Sequence, residues 1–291
     1  ADGPTAEFLR FLDGSPLAAK LEGVTQEIRA SGNGRLTLKL DLPLRKLEAT
    51  RVAGVFQFQN NQVSFDPELP ALAQVNGRLD FSEAGVEVRG LSGQFLGGPI
   101  TVNAQTRDGA VGINAQGTAA LGMLRGLGNV PLLDHASGAM PWRGSASARR
   151  GSLDLMIEST LQGVAIDLPP PYGKNAAEAM PLRLARSNNT DAETVKRFGG
   201  LRAPPKGDVV ALSLGSPGRS LSVLAARRAE GRANVVERAS VGVNETASAP
   251  VQAGIAVSGT LPYLDMDRWQ AAMAGPPSSP SSASGAGAST A

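Results

Sequence analysis

The residue types best suited to catalysis stand together in one short segment, Asp134-His135-Ala136-Ser137, and His135 is the only histidine of the 291-residue chain. The segment contains the three residue types of a serine-hydrolase triad. Triad side chains, however, converge from separate parts of a sequence, and adjacent ones cannot face one another usefully. No serine stands in a Gly-x-Ser-x-Gly elbow between a strand pattern and a helix pattern. The segment therefore predicts a turn histidine beside an aspartate.

The composition excludes several further kinds of functional site. The chain has no cysteine, which excludes disulfide scaffolds, thiolate metal sites and thiol catalysis. Carboxylates are scattered along the chain at positions where a strand would face solvent, and acids paired for glycoside hydrolysis stay an open alternative because such pairing is three-dimensional. We predict a protein that is not an enzyme and has no cofactor and no metal. The scattered acids include Asp41, Asp80, Glu87, Asp154 and Glu158.

Two other patterns resemble ligand sites but favour structural roles. The glycine-rich stretch 90–99 lacks the Gly-Lys-Ser/Thr ending of a phosphate loop, and glycines within a strand pattern typically mark bulges or bends. Arg227, Arg228, Arg232 and Arg238 form a loose basic cluster that acidic residues interrupt. This cluster favours a solvated surface, with attraction to anionic lipid headgroups as the alternative. The net charge of +2 does not indicate a nucleic-acid partner.

Most of the chain shows alternation of apolar and polar residues, the pattern of half-buried strands. Short turn signals such as Arg107-Asp108-Gly109 separate the strands and predict sequential hairpins. We therefore predict a mostly β protein with one long curved antiparallel sheet, a U-shaped repeat-like groove and a few short helices. The interior of an ordinary β-sandwich is the alternative. Residues proposed to line such a groove and to bind lipid are Leu36, Leu38, Leu40, Val86, Val88, Ile100, Val102, Ile113, Leu153, Leu155, Ile157, Val164, Ile166, Leu221 and Val223.

Helical patterns are few and short. They predict helices over 4–12, 118–127, 190–198 and 265–274, with a proline-rich extended loop at 169–181.

Three of these helices stand in similar sequence contexts, which indicates a degenerate repeat. We predict a groove segment over residues 1–274, with repeat units 1–116 and 117–258 and a third starting near 259. Residues 275–291 contain only Gly, Pro, Ser, Ala and Thr, and they predict a disordered linker or tail.

Four segments carry a resemblance to a known family. They are LPALAQVNGRLDF at 69–81, GLSGQFLGGP at 90–99, STLQGVAIDLPPPYGK at 159–174 followed by AMPLR at 179–183, and YLDMDRW at 263–269. In these the chain resembles the AsmA-like proteins of Gram-negative bacteria, in the YhdP branch. The resemblance covers roughly residues 1–274, and its motifs contain no catalytic residue.

The resemblance implies a protein that is anchored in the inner membrane and spans the periplasm. It further implies a U-shaped β-groove with an apolar concave face, of the kind found in bridge-like carriers that move phospholipid towards the outer membrane. We expect the chain to be an internal fragment whose membrane anchor lies outside it, with phospholipid and envelope proteins as partners. A non-catalytic structural or assembly module of the envelope is the second hypothesis, and a carbohydrate-active enzyme is the third.

Overall fold

A computed structural model describes residues 1–14, 28–41, 51–65, 69–125, 131–149, 151–231, 233–261 and 263–273. Within these residues fifteen strands form one sheet that does not close on itself. Its strands are β1 (Asp2–Pro4), β2 (Arg29–Asp41), β3 (Arg51–Ser64), β4 (Leu72–Ser82), β5 (Gly85–Phe95), β6 (Gly98–Arg107), β7 (Ala110–Ala120), β8 (Ala136–Arg149), β9 (Ser152–Ser159), β10 (Val164–Ile166), β11 (Leu182–Ser187), β12 (Gly207–Leu214), β13 (Leu221–Glu230), β14 (Ala233–Val243) and β15 (Gly254–Gly259).

Consecutive strands are neighbours almost throughout the sheet, and the pairs from β1 to β14 are antiparallel. Tight hairpins explain this order. Between β6 and β7, Asp108 and Gly109 have φ of +50° and +73°, the geometry of a type I′ turn, whose twist matches the flanking strands. The prediction of a mostly β, open, antiparallel sheet is confirmed. Strand β10 is the exception to this sequential pairing, because it pairs with the start of β8 and not with β9 or β11.

The last strand departs from the predicted antiparallel arrangement, because β15 runs parallel to β14. The connection between them, residues 244–253, crosses one face of the sheet, where Ala247 and Ala249 pack against a buried cluster. The chain thus returns to the end from which β14 started, and a parallel neighbour follows from such a crossover.

The helices are short, as the sequence predicts. In the described part of the chain they are α1 (Thr5–Asp13), α2 (Leu121–Leu124), α3 (Ala192–Arg197) and α4 (Met266–Met273), with a 3-10 helix at Pro131–His135. The helix predicted over 118–127 is shorter in the structure, because β7 continues to Ala120 and pairs there with Ala139. The predicted tail 275–291 lies outside the described residues.

Strand register places apolar side chains on one face of the whole sheet. Residues directly opposite in paired strands share a face. One such row across the sheet is Leu36, Phe56, Leu79, Val88, Ala104, Ile113, Ala146, Leu155, Arg186, Val210, Ala225, Ala239 and Ile255. A second row is Leu91, Val102, Ala115, Gly144, Ile157, Leu184, Leu212, Val223, Val241 and Val257. We call this side the inner face.

The outer face is polar over the middle of the sheet. One of its rows is Thr101, Gln116, Arg143, Glu158, Arg183, Ser213 and Ser222. Arg143 Nε donates to Glu158 Oε2 at 3.0 Å across two neighbouring strands. Both side chains are more than a third exposed, as expected for a solvated face.

The sheet bends towards its inner face between β5 and β8. Strands two apart in a flat sheet are about 9.5 Å from each other, yet Cα atoms of β5 and β7 approach within 8 Å. On the inner face, the rings of Phe95 on β5 and Trp142 on β8 have centroids 6.1 Å apart, although two strands separate them. Side chains converge on the concave side of a bent sheet. The inner face is therefore concave at this place.

Helix α1 covers the inner face of β2 to β4. The ring of Phe8 stacks on that of Phe56 at 4.1 Å and contacts that of Phe81 at 5.5 Å. Phe81 has room because Gly54 lies opposite it, where a Cβ atom would come within 2.3 Å of the ring. These aromatic rings form a closed cluster at the first end of the sheet.

A second cover closes one rim of the inner face from β7 to β13, where α2 and the segment between β9 and β11 meet. Its buried centre includes Leu121, Met140, Leu161, Val164 and Met180. The loop 169–181 lies between β10 and β11 and forms part of this cover, which we call the rim cap. The prediction that this loop is extended is wrong, because it turns back on itself: the N–H of Tyr172 donates to the carbonyl oxygen of Pro169 at 3.2 Å, and Lys174 pairs with Ile166.

Lys174 is buried in the rim cap. Its Nζ donates to the carbonyl oxygens of Leu161 and Asn175, both at 3.0 Å, and to that of Val164. Burial lowers the pKa of Lys174. The nearby negative charge of Glu178 opposes this shift, and the positive charge of Arg219 adds to it. The ammonium group thus ties together three backbone carbonyls, two of which, those of Leu161 and Asn175, also accept from the N–H groups of Val164 and Glu178.

Among the described residues, a cover packs on the outer face at β11 to β14. Here Asp191 caps the N-terminus of α3, and its carboxylate accepts from the backbone N–H of Thr194 at 2.7 Å. The helix leads into Phe198 and Leu201, which pack with Val209, Leu224 and Ala226 on the outer face. These strands therefore carry apolar side chains on both faces.

Candidate functional site

The described residues leave part of the inner face uncovered. From β7 to β14, nine apolar residues of the two inner rows and their flanks pack in none of the buried clusters found in the described chain. Their side chains are partly exposed. We call this surface the open tract, and its residues are Ile113, Leu153, Leu155, Ile157, Leu184, Val210, Leu212, Val223 and Val241.

Register brings most of the predicted groove residues onto the inner face. Five of them, Ile113, Leu153, Leu155, Ile157 and Val223, belong to the open tract. Leu36, Leu38 and Val86 lie on the same face but against the cluster beneath α1. Val88, Ile100, Val102 and Leu221 also lie on this face, packed against other clusters. Leu40 pairs with Val52 on β3, and its side chain lies outside the described residues.

Val164 and Ile166 are the two predicted groove residues that do not join the rows. They lie on β10, whose partners are Gly138 and Ala136 at the start of β8. Val164 is 1% exposed and belongs to the rim cap. Their place in the structure is inside the cover, away from the open tract.

Four residues of the open tract were not among the sequence candidates: Leu184, Val210, Leu212 and Val241. Their alternation is visible in the sequence, since Leu182 and Leu184 flank Arg183. Only the register aligns them with Ile157 and Leu155, because Leu184 lies opposite Ile157 and Leu212 opposite Leu184.

A charged group interrupts the inner rows at the rim opposite the rim cap. Asp208 on β12 is almost fully buried, and both of its carboxylate oxygens accept from arginines. Arg186 Nε donates to Oδ2 at 2.6 Å, while Arg227 Nε and Nη2 donate to Oδ1 and Oδ2 at 2.8 and 2.7 Å. Each arginine side chain is about 20% exposed. Two guanidinium groups thus share one carboxylate at the edge of the open tract.

A cavity of about 570 Å³ lies beside this group. Leu153 of the open tract lines it, and so do the charged residues Arg186, Lys206 and Asp208. The remaining lining consists of Gly151, Asn188, Thr190, Ala203, Pro204, Pro205, Gly207 and Asn234. The cavity therefore joins an apolar surface to a basic one.

The segment containing His135 forms a 3-10 helix that leads directly into β8. Asp134 and Ser137 are exposed, and the backbone carbonyl of His135 accepts from the N–H of Asp167 at 2.7 Å. In the described chain, no group of three or more His, Asp or Glu side chains is placed to hold a metal ion.

The loose arginine cluster of the sequence does not act as one group. Arg227 belongs to the buried ion group, whereas Arg228 is exposed beside Glu230. Arg238 donates to the carbonyl oxygen of Pro250 at 3.5 Å. Arg232 lies outside the described residues.

A family model described as YhdP protein matches residues 1–288 of the chain. The chain belongs to the YhdP protein family. This is a non-enzymatic family of the Gram-negative cell envelope. No curated protein and no solved structure gave a significant match. In the part of the chain that the structure describes, no helix has the length and apolar character needed to cross a bilayer.

Proposed function

We propose that this YhdP-family chain holds the acyl chains of phospholipid against the open tract, as a segment of a carrier that moves lipid across the periplasm towards the outer membrane. The observation that supports this most is the uncovered apolar surface from β7 to β14. Monomeric soluble proteins rarely leave a contiguous apolar surface of this kind without a ligand or partner.

The size of the open tract suits an acyl chain. Its seven strands span about 29 Å at the usual spacing between strands. Along β9, the distance from Leu153 to Ile157 is about 13 Å at the usual rise per residue. One acyl layer of a bilayer is about 15 Å thick, half of its hydrocarbon core. An acyl chain therefore fits on the tract either along the strands or across them.

The chemistry of the tract suits the same cargo. Backbone groups within the sheet are paired with neighbouring strands, so the surface between Ile113 and Val241 presents side-chain carbon. A lipid would exchange water on this surface for hydrocarbon, and its polar headgroup would stay at a rim.

One observation favours the second candidate, a structural or assembly module. Strand β15 is exposed along its whole length, with Ile255 and Val257 each 70% exposed. An edge strand of this kind can pair with a strand of another protein. This role would use the edge of the sheet and would not need the open tract.

The test is lipid content. The chain is produced in the periplasm of a Gram-negative host, purified without detergent and analysed by native mass spectrometry with extraction of bound lipid. We expect phospholipid that remains bound to the folded chain and is released when the chain unfolds. A folded chain free of lipid, which also takes up none from vesicles, would contradict the proposal and favour the assembly module.

A further inference from the structure

We propose that the cavity beside Asp208 binds the phosphate group of an anionic amphiphile, so that the lipid lies with its headgroup at this rim and its acyl chains run towards the rim cap. This inference rests on the proposed function, because it assigns the headgroup end of the same surface.

Among the described residues, the ion group and the lining of the cavity hold more cations than acids. Both carboxylate oxygens of Asp208 accept hydrogen bonds from Arg186 and Arg227, so that one carboxylate faces two guanidinium groups. Lys206 adds a third cation on the lining of the cavity, and Asp208 is the one acid among its described lining residues. Guanidinium and ammonium groups in a partly buried cavity attract phosphate oxygens more strongly than water-exposed ones do.

The position of the group is at the end of an apolar surface. Arg186 lies directly opposite Leu155 on β9 and Val210 on β12, both in the open tract. Its guanidinium is held by Asp208 on the same face, so the positive charge is fixed where the apolar rows end. A ligand that contacts both surfaces must carry an anionic group next to a hydrocarbon chain.

The length between the two rims matches one acyl layer. Along β11, the distance from Arg186 to Leu182 is about 13 Å at the usual rise per residue, against about 15 Å for one leaflet of a bilayer core. Leu182 packs against the rim cap, whose buried residues include Met180 and Leu214. The far end of such a ligand would therefore meet a closed apolar wall.

The experiment compares two lipids with the same acyl chains. The full chain is incubated with vesicles of phosphatidylglycerol or of phosphatidylcholine, separated from them, and its bound lipid is quantified. We expect phosphatidylglycerol to load about fivefold more than phosphatidylcholine. Arg186→Gln and Lys206→Asn should each bring this ratio close to one. Lys206 has a φ of +55°, which asparagine tolerates, so the second variant remains informative where the first fails to fold.

The matched control is Arg183→Gln, which removes an exposed arginine on the outer face of the same strand and should leave the ratio unchanged. Equal loading of the two lipids by the wild-type chain, or a ratio kept by both variants, would overturn the headgroup site alone. Loading of neither lipid would instead overturn the proposed function.

A second arm separates a lipid headgroup from a free anion. Lipid-free protein is titrated with inorganic phosphate in a calorimeter. Binding heat that Arg186→Gln abolishes would assign the site to a free anion and overturn the lipid assignment. Absence of heat, together with the phosphatidylglycerol preference, supports recognition of the phosphate only as part of an amphiphile.

Discussion

Ile113→Glu should reduce the lipid bound per chain about tenfold or more, because a carboxylate facing an acyl chain loses its water without gaining a partner. Ile113 lies on the inner face of β7 between Ala104 and Ala146, both apolar and small. No described cation stands opposite it in the register to neutralise the new charge. The measurement is bound phospholipid per folded chain by native mass spectrometry.

The matched control for this substitution is Asn114→Glu. Asn114 is the next residue on the same strand, is exposed on the outer face, and lies opposite Asn103 and Ser145. This variant carries the same added charge on the outer face, and we expect no change in the phospholipid bound per chain. Thermal unfolding of both variants shows that they are folded. Equal lipid content in the two variants would place the bound lipid somewhere other than the open tract.

Lys174→Met should lower the free energy of unfolding by about 3 kcal/mol, which is a large loss for one substitution. The change removes a donor that bonds the carbonyl oxygens of Leu161, Val164 and Asn175, and it leaves an apolar side chain facing these polar groups inside the rim cap. The rim cap depends on these bonds, because Leu161 and Val164 are part of its buried centre. Denaturant unfolding measures the loss.

Lys196→Met provides the comparison for Lys174. Lys196 is exposed near the end of α3, so its substitution should change the free energy of unfolding by less than about 0.5 kcal/mol. A Lys174→Met variant as stable as this control would show that the rim cap does not rely on the buried ammonium group.

The strands could be predicted from the sequence because each has one solvated face over most of the sheet. Apolar residues at every second position, such as Leu153, Leu155 and Ile157, then fix which side chains share a face. The antiparallel arrangement predicted for the sheet is wrong at β15, because the direction of a strand depends on where its connection crosses. The helix predicted at 118–127 is too long, because the pairing of Ala120 with Ala139 is a tertiary contact.

The candidate site was predictable only in part. Alternation identifies apolar faces strand by strand, but whether a face stays open depends on what packs upon it. Leu36 and Leu38 lie under α1 because Phe8 stacks on Phe56 of the neighbouring strand, which no local pattern indicates. Likewise, the pairing of Arg186 with Asp208 joins residues 22 positions apart on adjacent strands.

The central claim is that lipid lies on the inner face, and photocrosslinking from β9 tests it most directly. Ile157 belongs to the open tract, whereas the adjacent Met156 points to the outer face, opposite Ser145 and Ala185. A photoreactive amino acid is placed at each position in turn, and the chain is irradiated in cells. We predict phospholipid adducts from position 157 and none from position 156. Adducts from both positions alike, or from neither while a known lipid-binding control protein gives them, would contradict the claim.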